Sequence, residues 1–475
     1  MKKVKAKIVY VCSLLMIMEG IMAQQLTLKQ CVETAIANNL QVRQSEYQSQ
    51  SDKVSFQQAK ANQLPFISGN VYHGINQGRS IDPFTNTYAT QQVNFANYNI
   101  NTGITIWNGS AIQNNIKQNE LNYQASQLDW QQAKDNITIN VILAYLQILS
   151  GQEQLGIAKK QVEVTKSQVE RLGILNADGA IAPFLLYDVR GQLSGDELAV
   201  ISVKNSLETA KLTLAQLMNV PYTTAVQLEN ITEQSTPALY DGTPDNIYQL
   251  ASQQLSLIKA ADLRVKSAEK RVLSTKAQLL PILIFNGGVG TNYSSVASRQ
   301  ELISTADQPT TNYVILSGTK YPVFAPQSNY LSQKISYGDQ WKNNINSSLS
   351  IGLQFPILNS LQARSRVSQA QIAEKRTSFE AQTIKTALRQ SIDQAYVNMN
   401  TAFERYQTLA RQLDDFTKSF KAAEVRFNAG VNSSVEYLLA KNNVDRTNAN
   451  LVAAKYDYLL RAKVLDFYQG KQLWQ

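Results

Sequence analysis

From Ser360 to Asn428 the chain contains neither a proline nor a glycine. An internal proline costs a helix about 3 kcal/mol, so a stretch without one is where a long helix can form. Apolar residues return there at Ile384, Leu388, Ile392, Ala395, Met399, Phe403, Tyr406 and onward to Phe427. Their mean step of about 3.6 draws one face of a single helix. At about 1.5 Å per residue that helix is about 100 Å long. No compact core buries a rod of that length, so it must lie along other rods, as in a coiled coil or helical barrel. The 11 prolines leave three more such stretches, 110–172, 184–220 and 245–280.

The chain also repeats itself. A shift of 216 residues lays Lys60-Ala61-Asn62-Gln63-Leu64-Pro65 on Lys276-Ala277-Gln278-Leu279-Leu280-Pro281, and Ala35 on Ala251. A shift of 251 lays Asn108 on Asn359, Ala144-Tyr145 on Ala395-Tyr396, Gly179 on Gly430 and Asn219 on Gly470. Two copies of one unit are therefore expected, 24–244 and 245–475, an internal duplication. Each runs helix, Pro, strand, loop, strand, long helix, tight turn, return helix. The first helix of each unit is expected to be unbroken over about 36 residues. An insertion at roughly 294–343 accounts for the two offsets.

Period-two alternation marks the strands. Ile345, Leu349, Ile351, Leu353, Phe355 and Ile357 alternate with Asn344, Asn346, Ser348, Ser350, Gly352 and Gln354. In the first unit Tyr98, Ile100, Ile104 and Ile106 alternate with Asn99, Asn101, Gly103 and Thr105. Two more strands follow the repeated Leu-Pro, one from Phe66 to about Arg79 and one carrying Leu283, Phe285, Val289 and Tyr293. A tilted strand crosses a bilayer in about 9–11 residues, which fits β-barrel portions at about 66–107 and 283–357. The same alternation also fits the edge of a soluble sandwich. Four strands cannot close a barrel, and an open edge in lipid leaves amide groups unsatisfied, so a membrane placement forces several copies to combine. The polar stretches 80–91 and 294–343 are expected to be extracellular loops.

Residues 1–23 have the pattern of a secretory signal: Lys2, Lys3, Lys5 and Lys7, an apolar run Ile8 to Met18, then a cleavage site after Ala23. Removing them lowers the formal charge from +9 to about +6, which argues against a nucleic-acid partner. Cys12 leaves with the signal and Cys31 stays alone, so no intrachain disulfide forms.

Taken in order, the opening Leu26-Thr27-Leu28 with Ala35-Ile36-Ala37-Asn38-Asn39, the Leu-Pro before each outgoing strand, Ile106-Trp107-Asn108-Gly109, and the hairpin Arg426-Phe427-Asn428-Ala429-Gly430 followed by Val435-Glu436-Tyr437-Leu438 resemble the TolC-like outer-membrane efflux proteins. The likeness runs over nearly all of the mature chain. It implies a mixed α and β membrane protein: a homotrimer whose 12-stranded outer-membrane β-barrel, four strands per chain, continues into a periplasmic α-helical barrel. It also implies a passive exit channel that works with a periplasmic adaptor and an inner-membrane transporter and requires no cofactor. A periplasmic coiled-coil adaptor or envelope scaffold would use the same helices. That alternative needs one hairpin and a lipoyl-like or barrel domain in place of two units with bilayer-length strands.

Gly179 and Gly430 fall at equivalent turns, where glycine ends a helix in the left-handed conformation. The resemblance adds adaptor docking at these tips, with Arg426 and Asn428 beside them. By the same resemblance Glu436 falls where such channels carry a gating carboxylate and Asp188 is the acid at the corresponding depth of the other hairpin, while Leu439 and Leu185 stand where relatives can have a second acid; a ring of like charges at a narrow end holds cations. Ser433 to Glu436 equally fits the capping box that starts a return helix. His73 is the single histidine, without a thiol cluster, so no metal site of ordinary spacing is expected. Gly287-Gly288-Val289-Gly290 lacks the Lys-Ser/Thr of a phosphate loop, and no base stands ready for a nucleophile, so no enzyme is expected.

Overall fold

A computed structural model describes residues 25–81, 86–90, 92–222, 228–229, 237–431 and 433–471. The expected signal at 1–23 and Pro83 of the first loop lie outside them. The chain divides into two compact units, one from Met1–Ser55, Asn119–Ala268 and Ala373–Gln475, the other from Phe56–Gln118 and Glu269–Ile372.

The helices are α1 (Leu28–Asn38), α2 (Leu40–Ala61), α3 (Ala111–Ala177), α4 (Pro183–Met218), α5 (Pro244–Gln254), α6 (Ser256–Lys276), α7 (Tyr337–Asn343), α8 (Gln362–Asn428) and α9 (Ser434–Tyr468). Both long helices, α3 and α8, have 67 residues, and the returning α4 and α9 have 36 and 35. The expected unbroken opening helices are each two. Asn39 and Leu255 are extended, at ψ 126 and 131, and their amides still bond to Ala35 and Ala251, both fully buried. Asn39 then caps α2, its Oδ1 accepting from the amides of Gln41 and Val42 at 2.9 and 3.2 Å. The break therefore satisfies amide groups that a helix end leaves open. Thr27 and Thr243 cap the helices before the two breaks.

Among the described residues the first unit holds three apolar clusters, the third at the hairpin ends. One gathers Val32, Ala35, Val141, Tyr145, Ile148 and Leu214 from α1, α3 and α4. Another gathers Ile247, Ala251, Leu388, Ile392, Met399 and Leu465 from α5, α8 and α9. Tyr145 is fully buried, and its hydroxyl donates to the carbonyl of Glu229 at 2.5 Å. Burial raises its phenol above the ordinary range.

In the second unit β1 (Phe66–Asn76), β4 (Val93–Trp107), β5 (Ile282–Ser294) and β8 (Asn346–Gln354) form one antiparallel sheet in that order. Short β2 (Arg79–Ile81) and β3 (Tyr88–Thr90) pair beyond β1. Residues 298–334, expected as loop, are a long hairpin of β6 (Ser298–Leu316) and β7 (Thr319–Lys334). Its turn is Ser317-Gly318, at φ 52° and 86°, the mirror-type turn that matches strand twist. Nearly every residue of the hairpin is exposed, so no buried face imposes alternation on its sequence.

Residues 251 apart share unusual backbone. Gly179 and Gly430 have φ 67° and 75°, Asn219 and Gly470 51° and 71°, Gly109 and Ser360 65° and 53°, Ser110 and Leu361 65° and 61°. The end of each hairpin helix is closed alike, Ala180 bonding back to Leu175 and Val431 to Arg426 at 2.8 and 2.9 Å.

Candidate functional site

The four-stranded sheet brings the alternating residues into register. Ile67, Val71 and Ile75 of β1, Tyr98, Ile100 and Ile104 of β4, Leu283, Phe285 and Val289 of β5, and Leu349, Ile351 and Leu353 of β8 share one face. That face is open: Ile67 is 75% exposed and Leu349 77%. An apolar surface of this extent is a contact surface for something that is not water. His73 sits on it, opposite Ala96. The middle of the other face is amide and hydroxyl, with Asn70 opposite Asn99, Asn97 opposite Asn292, and Asn286 opposite Ser350, and Phe66, Tyr72, Phe95 and Ile284 share that face. No Asp, Glu, Lys or Arg occurs in these four strands.

Among the described residues β1 pairs only with β4 and β8 only with β5, so each carries an unpaired edge. At one end of the sheet α7 packs on the apolar face. The Tyr98 and Trp341 rings meet edge-on at 4.4 Å, and Tyr293 lies 4.4 Å from Tyr337. Gln340, almost fully buried, pins the helix: its Oε1 accepts from the Ser294 amide at 2.9 Å and its Nε2 donates to the Ser294 and Ile335 carbonyls at 3.0 Å. Sequence reasoning missed this helix, whose seven residues are too few for helical periodicity to register.

In the first unit the hairpin ends come together. Phe427, three residues before Gly430, stacks on Tyr437 of α9 at 4.7 Å, and both pack with Leu172, Leu186 and Val189. Burial pushes the Tyr437 phenol up to about 12. Arg171 of α3 donates to the side chain and, at 3.2 Å, to the backbone carbonyl of Asn428. Arg426 and Glu436 are exposed. Ser433 caps α9, its hydroxyl accepting from the Glu436 amide at 3.3 Å. Asp188, also exposed, accepts from the Ser434 hydroxyl at 2.8 Å. Asp188 is thus bonded to the first turn of α9, the turn that also carries Glu436.

Deeper in the same unit is a cluster the sequence does not announce. Lys441 of α9 reaches Asp196 of α4 and Asp445 one turn on, while Thr165 of α3 donates to Asp196 at 2.5 Å. Among the described residues no group of three His, Cys, Asp or Glu could hold a metal ion, and no helix is long and apolar enough to cross a membrane.

Residues 31–220 and 247–471 match the sequence profile described as outer membrane efflux protein. The chain is 20% identical over 339 residues to the outer membrane protein TolC of Vibrio cholerae, covering 71% of this chain and 68% of that one. Among solved structures it is similar to the outer membrane protein VceC from Vibrio cholerae, with TM-score 0.75, 12% identity, and 94% and 96% of the two chains covered. It is also similar to the CmeC outer membrane channel of Campylobacter jejuni, with TM-score 0.73, 15% identity, and 94% and 86% covered.

Proposed function

Because the chain belongs to the outer membrane efflux protein family, we propose that three copies combine their sheets into one 12-stranded barrel in the outer membrane and their helices into one periplasmic tunnel, a passive exit for solutes delivered by an inner-membrane transporter. One observation carries this. The sheet is apolar on one face, amide and hydroxyl across the middle of the other, and open at both edges among the described residues. Lipid suits the first face and water the second, while the edges find partners only in neighbouring copies, since amide groups in hydrocarbon must all be bonded. The shared left-handed turns 251 residues apart support a duplication of one unit, 24–244 and 245–475.

Gly179 and Gly430 with Arg426 and Asn428 make the tips at which a periplasmic adaptor docks, and Asp188 and Glu436 narrow the tunnel behind them. The conduit then serves a tripartite pump or a type I secretion system. A photo-crosslinker at exposed Arg426 tests the docking. Capture of a periplasmic adaptor in cells supports it, and labelling of the chain with no adaptor rejects it. Conductance of the purified protein in a planar bilayer tests the conduit itself.

A further inference from the structure

The amide face holds a pattern that its uncharged composition alone does not require. Across the β4–β5 pair asparagine stands opposite glycine three times: Asn99 against Gly290, Asn101 against Gly288 and Asn286 against Gly103. In each pair the amide leans over its glycine. A Cβ at Gly288 would stand 3.0 Å from Asn101 Oδ1, one at Gly103 2.7 Å from the Phe66 ring and 3.0 Å from Asn286 Oδ1, and one at Gly290 would collide with Asn99 Oδ1. The amides therefore lie along the wall instead of projecting from it, and the glycines make the room. Beside them stand Ser348, Ser350 and Asn346 of β8 and Asn70 and Ser68 of β1.

An amide offers an N–H donor and a carbonyl acceptor together, so it solvates an anion and a cation in turn. Selective pores set their preference with rings of charged side chains. None exists here, because the four strands carry no ionised residue. Fixed charges more than about 8 Å away are largely screened at physiological salt. Resting on the barrel reading above, we propose that the strand section of this channel is indifferent to the sign of a solute's charge. It takes anionic and cationic cargo alike across these four strands, so that any choice by charge is made outside them.

The test uses thiols in the full-length channel with Cys31→Ser as background. Cys31 is buried and its thiol is pushed up to about 11, so it reacts slowly in any case. Ser348→Cys and Asn99→Cys place a thiol on the amide face at two positions, and Ile100→Cys places one on the apolar face. Conducting channels are exposed to a cationic and an anionic methanethiosulfonate of similar size, and modification rates are read as loss of current. At Ser348→Cys and Asn99→Cys the ratio of the two rates should stay within about threefold of the ratio for a small free thiol, as a wall without charged rings requires. Adding Asn99→Asp to Ser348→Cys should raise the cationic preference about tenfold or more. A tenfold bias of either sign without that aspartate overturns the proposal, as does a thiol at both amide-face positions that neither reagent reaches. Reaction at Ile100→Cys with none at Asn99→Cys also overturns it, by inverting the faces. A preparation that never conducts contradicts the channel reading itself, and is told apart by having no current to lose.

Discussion

Lys441 and Asp196, on α9 and α4, form a 3.0 Å ion pair whose side chains are only 3% and 8% exposed. Gln192 donates to the second oxygen of Asp196 at 2.7 Å, and Asp445 takes the remaining reach of Lys441. One cation thus holds two carboxylates and ties α9 to α4 near the hairpin ends. Lys441→Met would strand both carboxylates in the interior. Removing one partner of a buried pair costs about 3–5 kcal/mol, so the variant should unfold at clearly lower denaturant than the parent, with helical circular dichroism as the readout. Equal midpoints would show that the pair is solvated in the assembled protein.

Asp445 carries the pH dependence of that cluster. Burial raises its carboxyl above the ordinary aspartate value of 3.8, against the smaller opposing pull of Lys441. The folded state thus binds this proton more tightly than the unfolded state. Its stabilising contribution is complete below the ordinary value and is lost as pH rises through the raised one. Measured against the parent at each pH, Asp445→Asn should gain stability as the pH climbs above 3.8. A difference that is flat with pH, or that runs the other way, would place Asp445 in water.

Ile351 and Ser350 are neighbours in β8 on opposite faces of the sheet, paired with Phe285 and Asn286. Arginine on the lipid face of a barrel costs about 2–4 kcal/mol at the bilayer midplane. Ile351→Arg should therefore reduce the yield of heat-modifiable protein in the outer membrane, while Ser350→Arg should leave it near the parent level. The reverse order would exchange the two faces.

Asp188 and Glu436 converge on the first turn of α9, where Asp188 holds the Ser434 hydroxyl and Ser433 caps the Glu436 amide. The capping bond uses the Glu436 backbone and leaves its exposed carboxylate outside that bond. Replacing both acids by alanine should raise single-channel conductance and weaken block by divalent cations. Unchanged currents would leave Ser433 as the cap and remove both carboxylates from the gate.

What could be read without coordinates follows from where the chain meets a boundary. Ile351 and Ser350 announce their strand because one side is apolar and the other polar, and the long helices announce themselves by what they lack. Left-handed turns at Gly179 and Gly430 were legible because glycine is the residue that tolerates them. The β6–β7 hairpin was not, since its residues are exposed on both sides and follow no period. The breaks at Asn39 and Leu255 carry neither proline nor glycine; only the capping amide of Asn39 was a local sign. Lys441 and Asp196 are 245 residues apart, and Lys441 with Asp445 alone looks like an ordinary surface pair one helical turn apart.

The mass of the purified protein, by native mass spectrometry from detergent, bears most directly on whether neighbours seal the open edges of β1 and β8. Three chains in one particle, released only on heating, is the expected result. A single chain that stays folded and soluble with the detergent removed would contradict the account, because nothing would then cover the apolar face or pair the edges.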